Sequence, residues 1–164
     1  MLNPSNGVVN SFLLKLGFEA QPFFTGSKQA LASIMMIATW KGCGYWMMFL
    51  LAGIKDISQE LFESAKIDGA SYWVTTFRIT IPLLKRPLAF VIIADTTSNL
   101  LLFAPMYMIT KGGPQGSTNV LMYEAYKSAF IYGDQTRAAA LMTVLLLLVG
   151  IIVAIQFVAL NKES

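Results

Sequence analysis

Leu141 to Leu160 reads LMTVLLLLVGIIVAIQFVAL, twenty consecutive residues without a charge. At about 1.5 Å per residue a helix of that length crosses the roughly 30 Å hydrocarbon core of a bilayer. The run extends back to Arg137, so a membrane-crossing helix is expected over 137–160, with Gln156 about a turn from its end. Two other stretches reach spanning length, 30–54 and 87–109. Lys41 interrupts the first near its middle, and Asp95, Thr96, Thr97, Ser98 and Asn99 interrupt the second. A charged side chain at that depth costs about 2.5–3.5 kcal/mol on insertion scales, so both helices are expected to face protein or a water-filled path. The expected fold class is all-α, a polytopic membrane helix bundle with three transmembrane helices.

The composition of the 164 residues agrees: 55% are hydrophobic, 13% are charged, and the mean hydropathy is +0.60. Scattered glycines and abundant aromatics exclude collagen-like and disordered classes, and the lone Cys43 excludes a disulfide scaffold. There is no histidine, which removes the commonest catalytic base and metal ligand, so neither a metal site nor a catalytic constellation is expected. The net charge of +3 comes from dispersed cations, and no nucleic-acid partner is expected. No G-x-x-x-x-G-K-[ST] phosphate loop occurs, so any ATP used would be handled by another subunit.

Between these spans the chain divides into an external or interfacial segment 1–29, a loop 55–86, an external loop 110–136 with a short helix near 120–131, and a tail 161–164. Residues 1–7 carry no signal-peptide pattern. Val9, Phe12, Leu13 and Leu16 share a helical face, so 8–17 could form a helix lying at the membrane surface or stay a tail. The loop 55–86 holds nine of the 21 charged residues. Within it a helix is expected over 58–67, capped by Ser58 or Asp56 and stopped by Gly69; a second, over 71–79, should end before Pro82. With five Lys/Arg in this loop against three in 111–137, the positive-inside rule makes 55–86 and the C-terminus cytoplasmic.

In that loop Glu63-Ser64-Ala65, Gly69, Ile79, Ile81 and Pro82 resemble the E-A-A signature of the permease subunits of binding-protein-dependent ABC importers. Ser64 stands in for an alanine and Ile81 for a leucine. The longer run Glu63 to Ala70, ESAKIDGA, is similar to the carbohydrate branch, the maltose- and glycerol-phosphate-like permeases. Gly7-Val-Val-Asn10, Trp40-Lys41-Gly42, Leu51-Ala52-Gly53 and Thr110-Lys-Gly-Gly-Pro114 extend the similarity, while Ala104 departs from an acidic residue frequent there. The resemblance implies a bacterial or archaeal cytoplasmic-membrane location, ABC ATPase subunits, a second permease subunit and an extracytoplasmic solute-binding protein as partners, and lipid around them. It further implies that ATP is used by the partner and that no cofactor is bound by this chain. Since such permeases commonly have about six spans, the resemblance covers only a C-terminal part.

The resemblance also implies that Glu63, Ala65, Asp68, Gly69 and Pro82 couple to the ATPase. Leu61, Phe62 and Ala65 would offer it an apolar patch and Glu63 an anion; the plainer alternative is a surface pair of Glu63 with Lys66. On the second span Asp95, Ser98, Asn99 and Leu102 occupy i, i+3, i+4 and i+7, and the resemblance makes this face part of a substrate path. Carboxylate and amide groups suit a sugar's hydroxyls and disfavour an anionic solute; the alternative is that they hold helices together. Lys41 lies at similar depth and could pair with Asp95. The function expected is a permease subunit of an ATP-driven importer, for a sugar or oligosaccharide. The alternatives are a membrane assembly subunit without transport, or the same machinery for another solute.

Overall fold

The computed structural model describes residues 2–161; of the expected tail 161–164, residues 162–164 lie outside them. Among the described residues every regular element is helical. Helix α1 is Val8–Lys15, α2 Ala30–Lys55, α3 Gln59–Ile67, α4 Tyr72–Thr75, α5 Ile81–Leu83, α6 Lys85–Leu100, α7 Leu121–Tyr126 and α8 Gln135–Asn161. Three π-helical turns join them, Thr76–Thr80 before α5, Met106–Thr110 after α6 and Lys127–Ile131 after α7.

Helices α2 and α8 are each long and apolar enough to cross a membrane, with 26 residues in the apolar helical stretch of each. Most of their apolar side chains are left outside, Met48 66% exposed, Leu146 73% and Ile155 64%, while Ile34 of α2 and Leu145 of α8 are buried. Exposed apolar residues along a helix of this length suit a lipid surrounding. Asp134 starts α8, its Oδ1 accepting from the Arg137 amide at 2.8 Å, so the helix begins two residues earlier than the apolar run implies.

The middle span departs from expectation. Instead of a helix over 87–109, α6 stops at Leu100, the backbone is irregular over Leu101–Phe103, and helix resumes at Ala104. Sixteen residues rise only about 24 Å, short of the hydrocarbon core. Pro105 is the cause in the chain: it has no N–H for the carbonyl four residues back, and its ring crowds that turn, whereas it fits the first turn of a new helix. The expected stop before Pro82 is also not made, because the π-helical turn Thr76–Thr80 widens the backbone and α5 carries Pro82 in its first turn.

The chain forms two compact units: the chain up to Trp40 with Asn99–Gly150, and Lys41–Ser98 with the chain from Ile151 on. In the first, Ile34, Met106 and Tyr123 are buried together, with Phe24, Leu102, Phe103, Val120 and Tyr126 against them. Gly112 lies under the Tyr123 ring, where a Cβ would come within 2.7 Å of Cε1. Fully buried Thr118 closes the preceding loop through Thr110 Oγ1 at 2.7 Å and the Gly113 carbonyl at 2.8 Å. Buried Asn10 ties α1 down: its amide donates to the Pro4 and Gln21 carbonyls and its Oδ1 accepts from the Gln21 amide. The N-terminal segment thus contains an ordered helix, α1, on which Val8 and Phe12 are exposed, as is Leu16 just after its end.

In the second unit α2 and α6 approach closely at Gly53, where an added Cβ would lie 2.9 Å from Pro87 Cγ and 3.1 Å from Leu84 Cδ2. Small residues allow such approach, and contact between helices in lipid rests on it. Phe49 and Phe90 extend the seam with ring centroids 5.7 Å apart.

Candidate functional site

The loop between α2 and α6 is a structured knob. Ser58 caps α3, its hydroxyl accepting from the Glu60 amide at 3.3 Å. At the other end Gly69 adopts φ +74°, its amide donates to the Lys66 carbonyl and the Ala70 amide reaches back to Ala65. That pair of hydrogen bonds closes the left-handed turn for which glycine is favoured. Nothing lies within 4 Å of a Cβ at Gly69, so its constraint is backbone conformation and not space.

Glu63 is exposed, and Gln59 Nε2 donates to its Oε1 at 2.8 Å, one turn before it. Asp68 is exposed at the end of α3, and Pro82 is exposed in α5. Ala65 differs: it is buried within this chain and Phe62 is half-buried, so of the expected apolar patch only Leu61 faces outward.

Asp95 sits half-buried on α6, and its Oδ1 accepts from the Trp46 indole N–H of α2 at 2.6 Å. A Cβ on Gly42 would stand 3.6 Å from the same carboxylate oxygen. Lys41 is exposed, and the donor placed at Oδ1 is the indole. One turn is enough to separate these choices: a tryptophan N–H at mid-helix needs an acceptor, whereas a lysine can snorkel. Trp46 is the functional neighbour that sequence reading missed, although a tryptophan inside a span facing another span's carboxylate is a legible signal. From α8, Gln156 Nε2 donates to Thr96 Oγ1 at 2.9 Å, a second polar tie to α6.

The four positions proposed for one face do not form it. Asp95, Ser98 and Asn99 are on α6, with Ser98 and Asn99 exposed, but Leu102 lies beyond the helix end and packs in the Ile34–Met106–Tyr123 cluster. The helical count fails there because the break at Leu101–Phe103 resets the phase. Asp95 and Ser98 belong to the second unit, Asn99 and Leu102 to the first.

The first unit carries its own concentration of chemistry. Phe103, Tyr107, Tyr123, Tyr126 and Phe130 form a continuous ring cluster, with centroid separations of 5.0 Å for Phe103–Tyr126 and 5.2 Å for Tyr126–Phe130. Phe103, Tyr126 and Phe130, with Ala125, Ala138 and Met142, line an open apolar cavity of about 450 Å³. Beside it Glu124 bonds Lys127 Nζ at 2.6 Å, Arg137 at 2.8 Å and Asn119 Nδ2 at 2.7 Å. The Lys127 and Asn119 hydrogen bonds hold the Glu124 carboxyl below the ordinary carboxylate range, against the opposing effect of desolvation. Lys127 is correspondingly raised, chiefly by its bond to Glu124. Among the described residues no group of three His, Cys, Asp or Glu could hold a metal.

A family model described as the binding-protein-dependent transport system inner membrane component matches residues 8–162. The lactose transport system permease protein LacF of Rhizobium radiobacter is 35% identical over 164 residues, covering 97% of this chain and 55% of LacF. The maltose/maltodextrin permease MalF of Salmonella typhimurium is 32% identical, over 99% of this chain and 34% of MalF. A bacterial ABC transporter involved in import of the acidic polysaccharide alginate superposes with a TM-score of 0.86 at 25% identity, over 99% of this chain and 57% of that one. The chain spans about half the length of most of these relatives. With residues 8–162 matched, the chain belongs to the inner membrane components of binding-protein-dependent transport systems.

Proposed function

We propose that this chain forms part of the translocation path of an ATP-driven importer for oligosaccharides, and that the loop 55–86 carries the motion of a partner ATPase into the spans. The observation that supports it most is the pairing of two outward-apolar, membrane-length helices with a capped, exposed α3 between them. Glu63 and Asp68 offer that partner carboxylates, Leu61 an apolar contact, and Gly69 a sharp turn that lets α3 project. Ala65 and Pro82 act from within, Ala65 by seating α3 and Pro82 by joining the knob to α6.

The fold is that of a bundle with α2, α8 and the broken α6 segment as its three spans, the loop 55–86 and the C-terminus on the cytoplasmic side. The assembly would hold two ATPases, a second permease subunit and a solute-binding protein. ATP is consumed by the ATPase, and this chain binds no cofactor. Asp95, Ser98 and Asn99 supply polar contacts along the path, with Trp46 orienting Asp95 and Lys41 within reach of the same depth. Names support the sugar class: LacF is a lactose permease and MalF a maltose/maltodextrin permease. Since the alginate importer carries an acidic polysaccharide, an anionic solute stays among those to be tried.

The test is reconstitution of the chain with its genomic neighbours encoding an ATPase and a binding protein, reading ATP hydrolysis. Stimulation by a sugar-loaded binding protein, abolished by Glu63→Lys or Gly69→Pro with the complex lost on affinity purification, is the expected result. An unchanged complex and unchanged hydrolysis in both variants would show that the knob does not carry the coupling.

A further inference from the structure

The loop changes character after α3. Residues 55–68 contain four carboxylates, Asp56, Glu60, Glu63 and Asp68, against two lysines, Lys55 and Lys66, whereas residues 69–94 contain Arg78, Lys85 and Arg86 and no Asp or Glu. In that cationic half three aromatic side chains stand out: Tyr72 is 76% exposed, Trp73 66% and Phe77 61%. They form one patch, with Trp73 and Phe77 stacked at 6.1 Å and Tyr72 edge-on to Trp73 at 5.5 Å. Lys85 and Arg86, with Pro82 and Leu83, line an open recess of about 460 Å³ at the start of α6. No carboxylate pairs with Arg78 or Arg86 among the described residues.

Exposed amphipathic rings beside a cluster of cations, at the start of α6, match the chemistry of one environment. The interface of a bilayer accepts Trp and Tyr at headgroup depth, and an anionic leaflet attracts adjacent Lys and Arg. We propose that residues 72–86 bind anionic phospholipid headgroups, the rings seated among the glycerol groups and Arg78, Lys85 and Arg86 on the phosphates. The acidic α3 is repelled from the same surface, so the one loop sorts its two halves: basic and aromatic toward lipid, acidic away from it. This rests on the reading of the chain as a membrane subunit with this loop at one membrane face.

The test uses the full chain carrying Cys43→Ser and Tyr72→Cys, labelled at position 72 with an environment-sensitive fluorophore. It is reconstituted in phosphatidylcholine vesicles containing one-fifth phosphatidylglycerol, with one lipid or the other brominated near the headgroup. Each cation near an anionic surface favours it roughly fivefold, so quenching per brominated phosphatidylglycerol should exceed that per brominated phosphatidylcholine severalfold. Arg78→Gln, Lys85→Gln and Arg86→Gln together should bring the two to equality. Equal quenching by both lipids in the unsubstituted loop overturns the proposal. So does no quenching at position 72 while a label at Leu147→Cys on α8 is quenched by the same lipids brominated at the middle of their acyl chains, which would assign the patch to a protein partner. Absence of quenching at both positions sinks the membrane reading itself.

Discussion

Helices α8 and α6 behave as opposites. Helix α8 runs 27 residues without a break, carries no charge between Leu141 and Leu160, and leaves Leu146, Leu147 and Ile151 exposed. Helix α6 stops after 16 residues, concentrates Asp95 to Asn99 in its last half, and receives a hydrogen bond from Trp46 of α2 and another from Gln156 of α8. The first satisfies the bilayer from its own sequence. The second, taken as the third span proposed above, depends on neighbouring helices to satisfy it, the condition under which polar side chains and irregular backbone occur at membrane depth.

The largest effect should come from placing a charge on the self-sufficient helix. Leu147→Arg is expected to cost about 3 kcal/mol of insertion, since it puts a charge at mid-bilayer with lipid around it. Glycosylation-tagged insertion assays read this as a shift of roughly two decades in the inserted-to-translocated ratio. Ser98→Arg, beside Asp95 on the supported helix, should cost less than half as much; equal losses would erase the distinction drawn between the two helices.

Packing comes next. Gly53→Ala drives a Cβ to 2.9 Å from the rigid Pro87 ring and should destabilise the unit by about 1–3 kcal/mol in detergent unfolding. Gly150→Ala on α8 meets nothing within 4 Å and should be neutral or stabilising by up to about 1 kcal/mol. A smaller term lies in the Trp46–Asp95 bond. A double-mutant cycle with Trp46→Phe and Asp95→Asn should return a coupling of about 0.6–2 kcal/mol, and the matching cycle of Lys41→Met with Asp95→Asn a value near zero. Coupling to Lys41 larger than to Trp46 would restore the ion pair.

The smallest effect is expected outside the membrane. Glu124 is lowered by its Lys127 and Asn119 bonds, so its contribution is complete above the ordinary carboxylate range and is lost as pH falls through its lowered value. Amide exchange over 119–137 should accelerate in acid below pH ~4, and Glu124→Gln should remove that acid dependence while leaving exchange in α8 beyond Gly150 unchanged.

Much of this was legible in advance, for reasons visible in individual residues. Leu141–Leu160 announces α8 because twenty uncharged residues have one solution in lipid. Ser58 and Gly69 mark the two ends of α3 because capping and left-handed turns depend on local chemistry alone. Leu102 was misplaced because a spacing argument assumes an unbroken helix, and Pro105 breaks it. Pro82 was misread in the opposite sense, since a π-helical turn lets the backbone pass a proline that an α-helix would not. Ala65 looked like surface because amphipathic spacing cannot tell an inward small residue from an outward one.

The sequence by itself determined that the chain lives in a membrane, that its polar mass lies between two spans, and which signature that mass carries. These follow from transfer free energy and from local backbone preference, both sums over near neighbours in the chain. Only tertiary structure decided that Asp95 meets Trp46, that Gly53 is the seam of α2 and α6, and that Phe103, Tyr126 and Phe130 share a cavity wall. Phe103 meets Tyr126 across 23 positions and Trp46 meets Asp95 across 49, and the choice among equally apolar or equally polar partners is made by packing geometry, which no local pattern encodes.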